Sequence, residues 1–244
     1  ITEKMSFEDA LAMAQKLGYA EKNPAADVEG DDACRKICIL SSIIFGKHVY
    51  PDWVHCEGIT NLTLEDVAYA ESWGGAVKLI GSVKRLDDGR ILPMVAPRFV
   101  CSGNQLSHID DVFNGIMVYG DGFDEVMFYG RGAGKLPTAS AVLGDVIDCA
   151  KHHSTILSQM WEDSADNSFI ADYKDDTVAM YVRVKGAGKA DITKLFGDVE
   201  FITRDAQPAD ELAFITPAQK EKETDEKLAS LGDKVLGKIR VLDM

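Results

Sequence analysis

Asp32 and Lys36 stand four residues apart, acid first, in a stretch whose pattern reads as helix. On one helical face such a pair has two readings. As an exposed i,i+4 ion pair it stabilises the helix by about 0.2–0.5 kcal/mol. As chemistry, a lysine held beside a carboxylate near a helix start can relay a proton to a substrate. Glu21 and Asp27 lie in the loop ahead of it and could hold a substrate ammonium. A second constellation is Gly130-Arg131-Gly132-Ala133-Gly134, between a strand-like and a helix-like run. Lys135 occupies the sixth place of a dinucleotide fingerprint, and Leu136 follows it where a Walker loop needs Ser or Thr. Two readings remain: a tight connection, or backbone amides set against a phosphate where Pro137-Thr138 opens the helix.

The other reactive residue types form no recognised site. The five cysteines, Cys34, Cys38, Cys56, Cys101 and Cys149, are an odd number and thinly spread, so they read as buried structural thiols. Cys34 and Cys38 share a helical face without the C-x-x-C spacing of a zinc or redox pair. His152 and His153 adjoin and would point about 100° apart on a helix, which argues against a shared metal. His108 lacks a paired serine or cysteine and reads as a surface or capping residue.

These residues must be positioned by the elements around them. Leu11, Ala14 and Leu17 mark a first helix that ends at Gly18. A second helix is expected over 31–45, stopped by Gly46, with Ile37, Leu40 and Ile44 as its buried stripe. Thr63 and Asp66 form a capping box for a third, which ends at Gly74-Gly75. Strands follow at 76–84 and 91–95, then a hairpin of 116–119 and 125–129 around Gly120-Asp121-Gly122. A long helix starts near Thr138.

Beyond an aspartate-rich stretch at 164–176, read as a linker, the order is strand 177–185, helix 190–196, strands 199–203 and 211–215, helix 217–231 and strand 235–242. Thr216 is the expected cap of that last helix, with Pro217 at its first position. Val178, Met180, Val182 and Val184 alternate onto one face of the first of these strands. The order βαββαβ is that of a ferredoxin-like sandwich.

The 244 residues leave room for two domains, and hydrophobic (46%) and charged (27%) fractions are those of a globular protein. Lys+Arg 26 against Asp+Glu 40 gives a net charge of −14, which argues against nucleic acid as a partner. No apolar run is long enough for a membrane helix and no signal peptide opens the chain, so a cytoplasmic location is expected.

Gly18-Tyr19-Ala20-Glu21, Pro24, Asp27-Val28-Glu29-Gly30, Asp32 and Lys36 together resemble the signature of the homoserine dehydrogenases. Gly58-Ile59-Thr60, Asp66, Lys78-Leu79, Asn114-Gly115-Ile116, Gly132-Ala133-Gly134 and Pro137-Thr138-Ala139-Ser140-Ala141 follow in the family's order. The resemblance covers residues 5–153, and the tail resembles an ACT regulatory module.

It implies an α+β fold: a mixed-sheet catalytic and dimerisation domain at 1–163, the linker at 164–176, and a ferredoxin-like, ACT-like domain at 177–244. Family members begin with a Rossmann domain carrying the glycine fingerprint. This sequence has none and begins at Ile1, so it reads as a truncated member, expected to be inactive alone and to expose apolar surface on the helix after Thr138.

The implied reaction is NAD(P)-dependent interconversion of L-aspartate 4-semialdehyde and L-homoserine, on the route to threonine and methionine. Lys36 matches the family's proton donor and Asp32 the carboxylate that positions it. Glu21 matches the ammonium-binding residue, Asp27 a further acid of the pocket, and Gly18 and Tyr19 the turn beside the substrate. Gly132, Ala133, Gly134 and Thr138 match the segment on the nicotinamide side, and no metal is implied. The resemblance also implies a homodimer, with threonine as an amino-acid effector. The sequence departs from the family at Asn23, where Asp is frequent, and at Ala26, where some members carry an acid. Gly186-Ala187-Gly188-Lys189 replaces the usual ACT effector loop. The alternative function is a non-catalytic amino-acid sensor built on the tail.

Overall fold

The computed structural model describes residues 7–18, 22–153 and 161–242. In chain order the first elements are α1 (Phe7–Leu17), α2 (Ala25–Val28), α3 (Asp31–Phe45), β1 (His55–Cys56), α4 (Leu64–Trp73), β2 (Gly75–Arg85) and β3 (Ile91–Cys101). There follow β4 (Phe113–Gly120), β5 (Asp124–Arg131), α5 (Lys135–Lys151), β6 (Thr177–Val178), β7 (Met180–Lys185) and α6 (Lys189–Phe196). The chain ends with β8 (Glu200–Ile202), β9 (Glu211–Ile215), β10 (Gln219–Lys220), α7 (Glu221–Ala229) and β11 (Val235–Val241). The fold is α+β. The chain forms two compact units, one of residues 1–24 and 108–160, the other of 25–107 and 161–244.

In the larger unit a mixed sheet is centred on β3. β2 pairs antiparallel along one edge of β3 through its whole length, Gly75 opposite Cys101 to Arg85 opposite Ile91. The other edge is shared: β1 runs parallel beside Met94 and Val95, and β11 parallel beside Arg98 and Phe99. From β11 the sheet continues through antiparallel neighbours β7, β9 and β8.

β3 extends six residues past the 91–95 expected, despite Pro93 and Pro97. The backbone explains why. The carbonyls of Val95 and Phe99 accept from Glu57 and Leu242, so odd-numbered residues turn their polar groups toward the β1/β11 edge. Both prolines share that parity, and the missing N–H of Pro97 falls between the end of β1 and the start of β11, so the β2 ladder is intact.

Both sheet faces are covered. α3 seats Cys34, Ile37 and Cys38 against Ile91 and Val95, and α4 seats Tyr69 and Ala70 against Phe99 and Tyr181. On the opposite face Val178, Met180, Val182 and Val184 form the expected stripe and pack with Ile192, Phe196 and Leu228 of α6 and α7.

The stretch 164–176 is bound into this unit rather than spanning a gap. Ile91 N donates to Phe169 O and Ala171 N to Ile91 O, both at 2.9 Å, while Phe169 and Ile170 pack on the α3 core. Its aspartates mask this short apolar run in a composition reading. The helix expected from Pro217 begins instead at Glu221, because Thr216 Oγ1 is engaged in accepting from Met180 N at 3.0 Å and residues 219–220 pair with β6.

In the smaller unit β4 and β5 form the expected hairpin, with Phe113 opposite Arg131 and Gly120 opposite Asp124. α5 buries no side chain among the described residues, and Val142, Leu143, Val146 and Ile147 are exposed as expected. No described helix is long and apolar enough to cross a membrane.

Candidate functional site

α3 begins and ends on glycines in the left-handed region, Gly30 at φ 86° and Gly46 at φ 72°, which is why the sequence bounds are met. Its start is clamped from below. A Cβ at Gly30 would lie 3.1 Å from Cys56 Sγ and 3.3 Å from the Glu57 carbonyl. A Cβ at Gly58 would lie 2.2 Å from the Val28 carbonyl, so the turn carrying Asp27 rests directly on the backbone after β1. Two glycines thus fix the end of the helix that bears the candidate pair.

The buried stripe differs from the one expected. Cys34, Ile37, Cys38, Ser41 and Ser42 face the sheet, whereas Leu40 is half-buried and Ile44 exposed. Small side chains let the helix lie close: a Cβ at Gly81 of β2 would be 3.5 Å from Ile37 and 3.7 Å from the Ala33 carbonyl. A stripe of isoleucine and leucine would hold it further off. Cys34 and Cys38 are buried as expected, with thiols pushed up by burial, Cys34 to about 11. Cys56 is half-buried, and Cys101 and Cys149 are exposed, contrary to expectation, because they fall at the end of β3 and on the open α5.

Turning that stripe to the sheet puts Asp32 and Lys36 on the outer face. Lys36 Nζ lies 2.6 Å from Asp32 Oδ2, with the side chains 64% and 47% exposed. Asp31 and Asp32 occupy the first turn, where the helix dipole favours negative charge. Ile39 and Ile43 are exposed on the same face one and two turns on. The arrangement is a positioned ammonium, open to approach, with its carboxylate partner already in contact. Asp27 is exposed on α2, the turn that leads into α3.

The remaining sequence-derived residues belong to the smaller unit or lie outside the description. Tyr19 and Glu21 are outside the described residues. Gly18 ends α1 at φ 76°, its N–H donating to Gln15 O at 3.1 Å. Gly132, Ala133 and Gly134 bridge β5 to α5, as the sequence places them. A Cβ at Gly132 would collide with the Asn114 side chain, and Gly132 N donates to Val112 O at 2.9 Å, so the loop is pinned to the hairpin. Gly134 sits at φ 116°, and α5 starts there with no side-chain cap. Thr138 is exposed in its first turn, its N–H donating to Gly134 O.

A family model, homoserine dehydrogenase, matches residues 1–147 of the 244. The chain belongs to the homoserine dehydrogenase family. The homoserine dehydrogenase of Synechocystis is 45% identical over 150 residues, covering 60% of this chain and 35% of that protein. The homoserine dehydrogenase of Bacillus subtilis is 40% identical over 152 residues, 62% of this chain and 35% of that protein. Among solved structures, a homoserine dehydrogenase from Thiobacillus denitrificans superposes with a TM-score of 0.83 at 32% identity, over 98% of this chain and 59% of that one. The chain spans about a third of the length of these curated homoserine dehydrogenases.

Sequence reasoning used Gly58 only as part of a homoserine dehydrogenase motif. Its role as the seat of the Asp27 turn depends on a contact between residues 30 positions apart in the chain. The signal that could have found it is a second glycine two residues past the short strand His55–Cys56.

Proposed function

We propose that this chain is the substrate-binding and proton-transferring part of a homoserine dehydrogenase, interconverting L-aspartate 4-semialdehyde and L-homoserine. The observation that carries the reading is the solvent-facing Lys36–Asp32 contact at 2.6 Å, in a chain whose family match spans both residues. That match also favours the enzyme over a stand-alone sensor.

In the reducing direction negative charge builds on the aldehyde oxygen. Lys36 is the group that stabilises this oxygen and then protonates it, and Asp32 holds the ammonium in place. Asp27 on the neighbouring turn, with Glu21, would receive the substrate's ammonium, and Gly18 and Tyr19 would flank it. NAD(P), when bound, supplies or accepts the hydride. Gly132, Ala133, Gly134 and Thr138 fit one side of such a group, since the loop presents bare backbone and α5 opens without a side-chain cap. The antiparallel order β11–β7–β9–β8 supports reading residues 177–244 as an ACT-like regulatory module built onto the same sheet as β3. The family resemblance alone is the ground for proposing threonine as its effector and a cytoplasmic homodimer as the working form.

The test follows NAD(P)H absorbance with L-aspartate 4-semialdehyde, using protein expressed from its complete reading frame, for the natural sequence and Lys36→Ala. The expected loss is about 10²–10⁴-fold in kcat with little change in folding. Undiminished turnover in the variant would remove Lys36 from the proton transfer. An inactive natural protein would overturn the enzyme reading.

A further inference from the structure

β1 is only two residues long, paired with Met94 and Val95 of β3, yet the chain at its end carries the Asp27 turn. Residues 56–59 grip residues 28–30 from below. Cys56 Sγ approaches the Glu29 carbonyl at 3.6 Å, and Ile59 N donates to Val28 O at 2.8 Å. Gly58 leaves no slack between them: its Cβ would also lie 2.5 Å from Glu29 Cα. Asp27 immediately precedes the gripped stretch and Asp32 stands two residues past it. Where residues 57 and 58 are held therefore decides where that turn sits.

Their anchor is remote in sequence. Glu57 N donates to Val95 O at 2.8 Å, one backbone bond to β3. Its carboxylate is fixed by Arg240 of β11, Nη1 to Oε2 at 2.8 Å and Nη2 to Oε1 at 2.9 Å. Such a two-point contact sets direction as well as distance. His55 Nε2 adds a third contact, 2.6 Å from Oε1. Arg240 is not free to follow a shift of Glu57. Its other edge donates to Glu221, fully buried at the start of α7, and its guanidinium lies over the Tyr173 ring, 5.5 Å from the centroid. Arg240 is 4% exposed and Glu57 39%. One end of the link is rigid; the other is the segment that seats the turn.

We propose that Glu57 is a positioning residue for substrate binding: held by Arg240, it locks residues 57 and 58 and so sets the Asp27 turn that receives the substrate's ammonium. The inference rests on the dehydrogenase reading of Asp27. It adds that the C-terminal strand β11 shapes the substrate side without touching the substrate. Lys36 depends less on this link, because it lies in the second turn of α3, where Ile37 and Cys38 rest on the sheet directly. Breaking the link should therefore weaken substrate binding while proton transfer proceeds.

The test compares Glu57→Gln with Glu211→Gln in protein expressed from the complete reading frame. Gln keeps the size of the side chain but turns one acceptor into a donor facing the guanidinium. Glu211 belongs to the other buried cluster, bonded to Tyr69, Arg183 and Arg204, and so controls for lost stability alone. Thermal unfolding verifies that both variants are folded at the assay temperature. Glu57→Gln is expected to raise KM for L-homoserine about tenfold with kcat within about twofold, the mark of lost binding rather than lost transition-state stabilisation. Hydrogen exchange in a peptide spanning 25–31 should quicken severalfold, while 37–45 stays unchanged. Glu211→Gln should leave KM and the 25–31 exchange as they are in the natural sequence. Unchanged exchange at 25–31 in Glu57→Gln would overturn the link, whether or not the protein turns over homoserine. Faster exchange with an unaltered KM, a fall in kcat alone, or an equal KM shift in Glu211→Gln would overturn the binding role. An inactive natural protein whose 25–31 peptide still responds to Glu57→Gln would sink the dehydrogenase reading, and the substrate role with it, while upholding the link.

Discussion

Arg240 and Lys36 each meet a carboxylate, Arg240 with Glu221 at 2.5 Å and Lys36 with Asp32 at 2.6 Å, but their surroundings are opposite. Arg240 is 4% exposed and Glu221 fully buried, with Glu57 as second partner, so every charge-bearing edge of the guanidinium is satisfied inside the protein. A similar cluster joins Arg183 to Asp66 and Glu211, with Tyr181 and Tyr69 donating to the same acids. Glu57 apart, whose side chain is 39% exposed, these groups have no surface left for a ligand, and together they tie β7, β9 and β11 to α4, α7 and the residue after β1. Lys36 and Asp32 tie nothing together beyond one turn of helix and remain open to solvent. Burial assigns the first kind of pair to architecture, and exposure leaves the second available for chemistry.

The sharpest test of this contrast pairs two truncations. Lys36→Ala is expected to cost turnover as set out above and less than about 0.5 kcal/mol of stability. Glu221→Ala should do the reverse in kind, destabilising by about 3–5 kcal/mol because it leaves Arg240 buried with half its compensation. Urea unfolding of both variants measures this. Similar midpoints for the two would erase the distinction between architectural and available pairs.

Acid titration approaches the same cluster without mutation. Burial alone would push the Glu57 carboxyl up, but hydrogen bonds from His55 and Arg240 outweigh it and hold the group down at about 2, against its ordinary 4.5. A carboxyl depressed in the folded state contributes stability that is complete above its unfolded value. Stability from Glu57 should therefore be full above pH 4.5 and fall as pH drops from there toward 2. Glu57→Gln should flatten that part of the urea-midpoint profile. An unchanged slope would show that Glu57 is not held by Arg240.

The two regions also differed in how far the sequence revealed them. The bounds of α3 were legible because Gly30 and Gly46 mark both ends, and α4 because Thr63 and Asp66 form the full capping box. The Asp32–Lys36 pair was legible because its partners are local. Glu57 and Arg240 are 183 residues apart, and only the parallel seating of β11 beside β3 brings β1 and β11 onto one edge. The length of β3 was hidden for a related reason: whether a proline breaks a strand depends on which edge its missing donor faces, a tertiary fact. The buried face of α3 was hidden because size, more than hydrophobicity, selects what can lie against Gly81.

A smaller effect separates the two ends of the candidate helix. Gly30 and Gly46 both adopt positive φ, but a Cβ at Gly46 meets nothing within 4 Å, whereas one at Gly30 meets Cys56 and Glu57. Gly46→Ala should cost about 1 kcal/mol, the conformational penalty alone. Gly30→Ala should cost about 1–3 kcal/mol and also displace the first turn carrying Asp32. Thermal unfolding reads the first difference, and amide shifts of residues 31–33 read the second. Equal costs with no local shift would mean that the clamp beneath the helix start yields freely.

The smallest effect decides what the Asp32–Lys36 contact is worth by itself. A double-mutant cycle of Asp32→Ala and Lys36→Ala should give a coupling of about 0.3–0.5 kcal/mol, as for other exposed helix pairs, and it should shrink in high salt. Asp32→Ala also removes an acid from the first turn, so that single variant should lose slightly more than the coupling. A coupling of several kcal/mol would instead mean the pair behaves like Arg240 and Glu221, shielded from water. The small value is the informative one: a lysine so weakly committed to its partner can give its proton away without a large loss of folding energy.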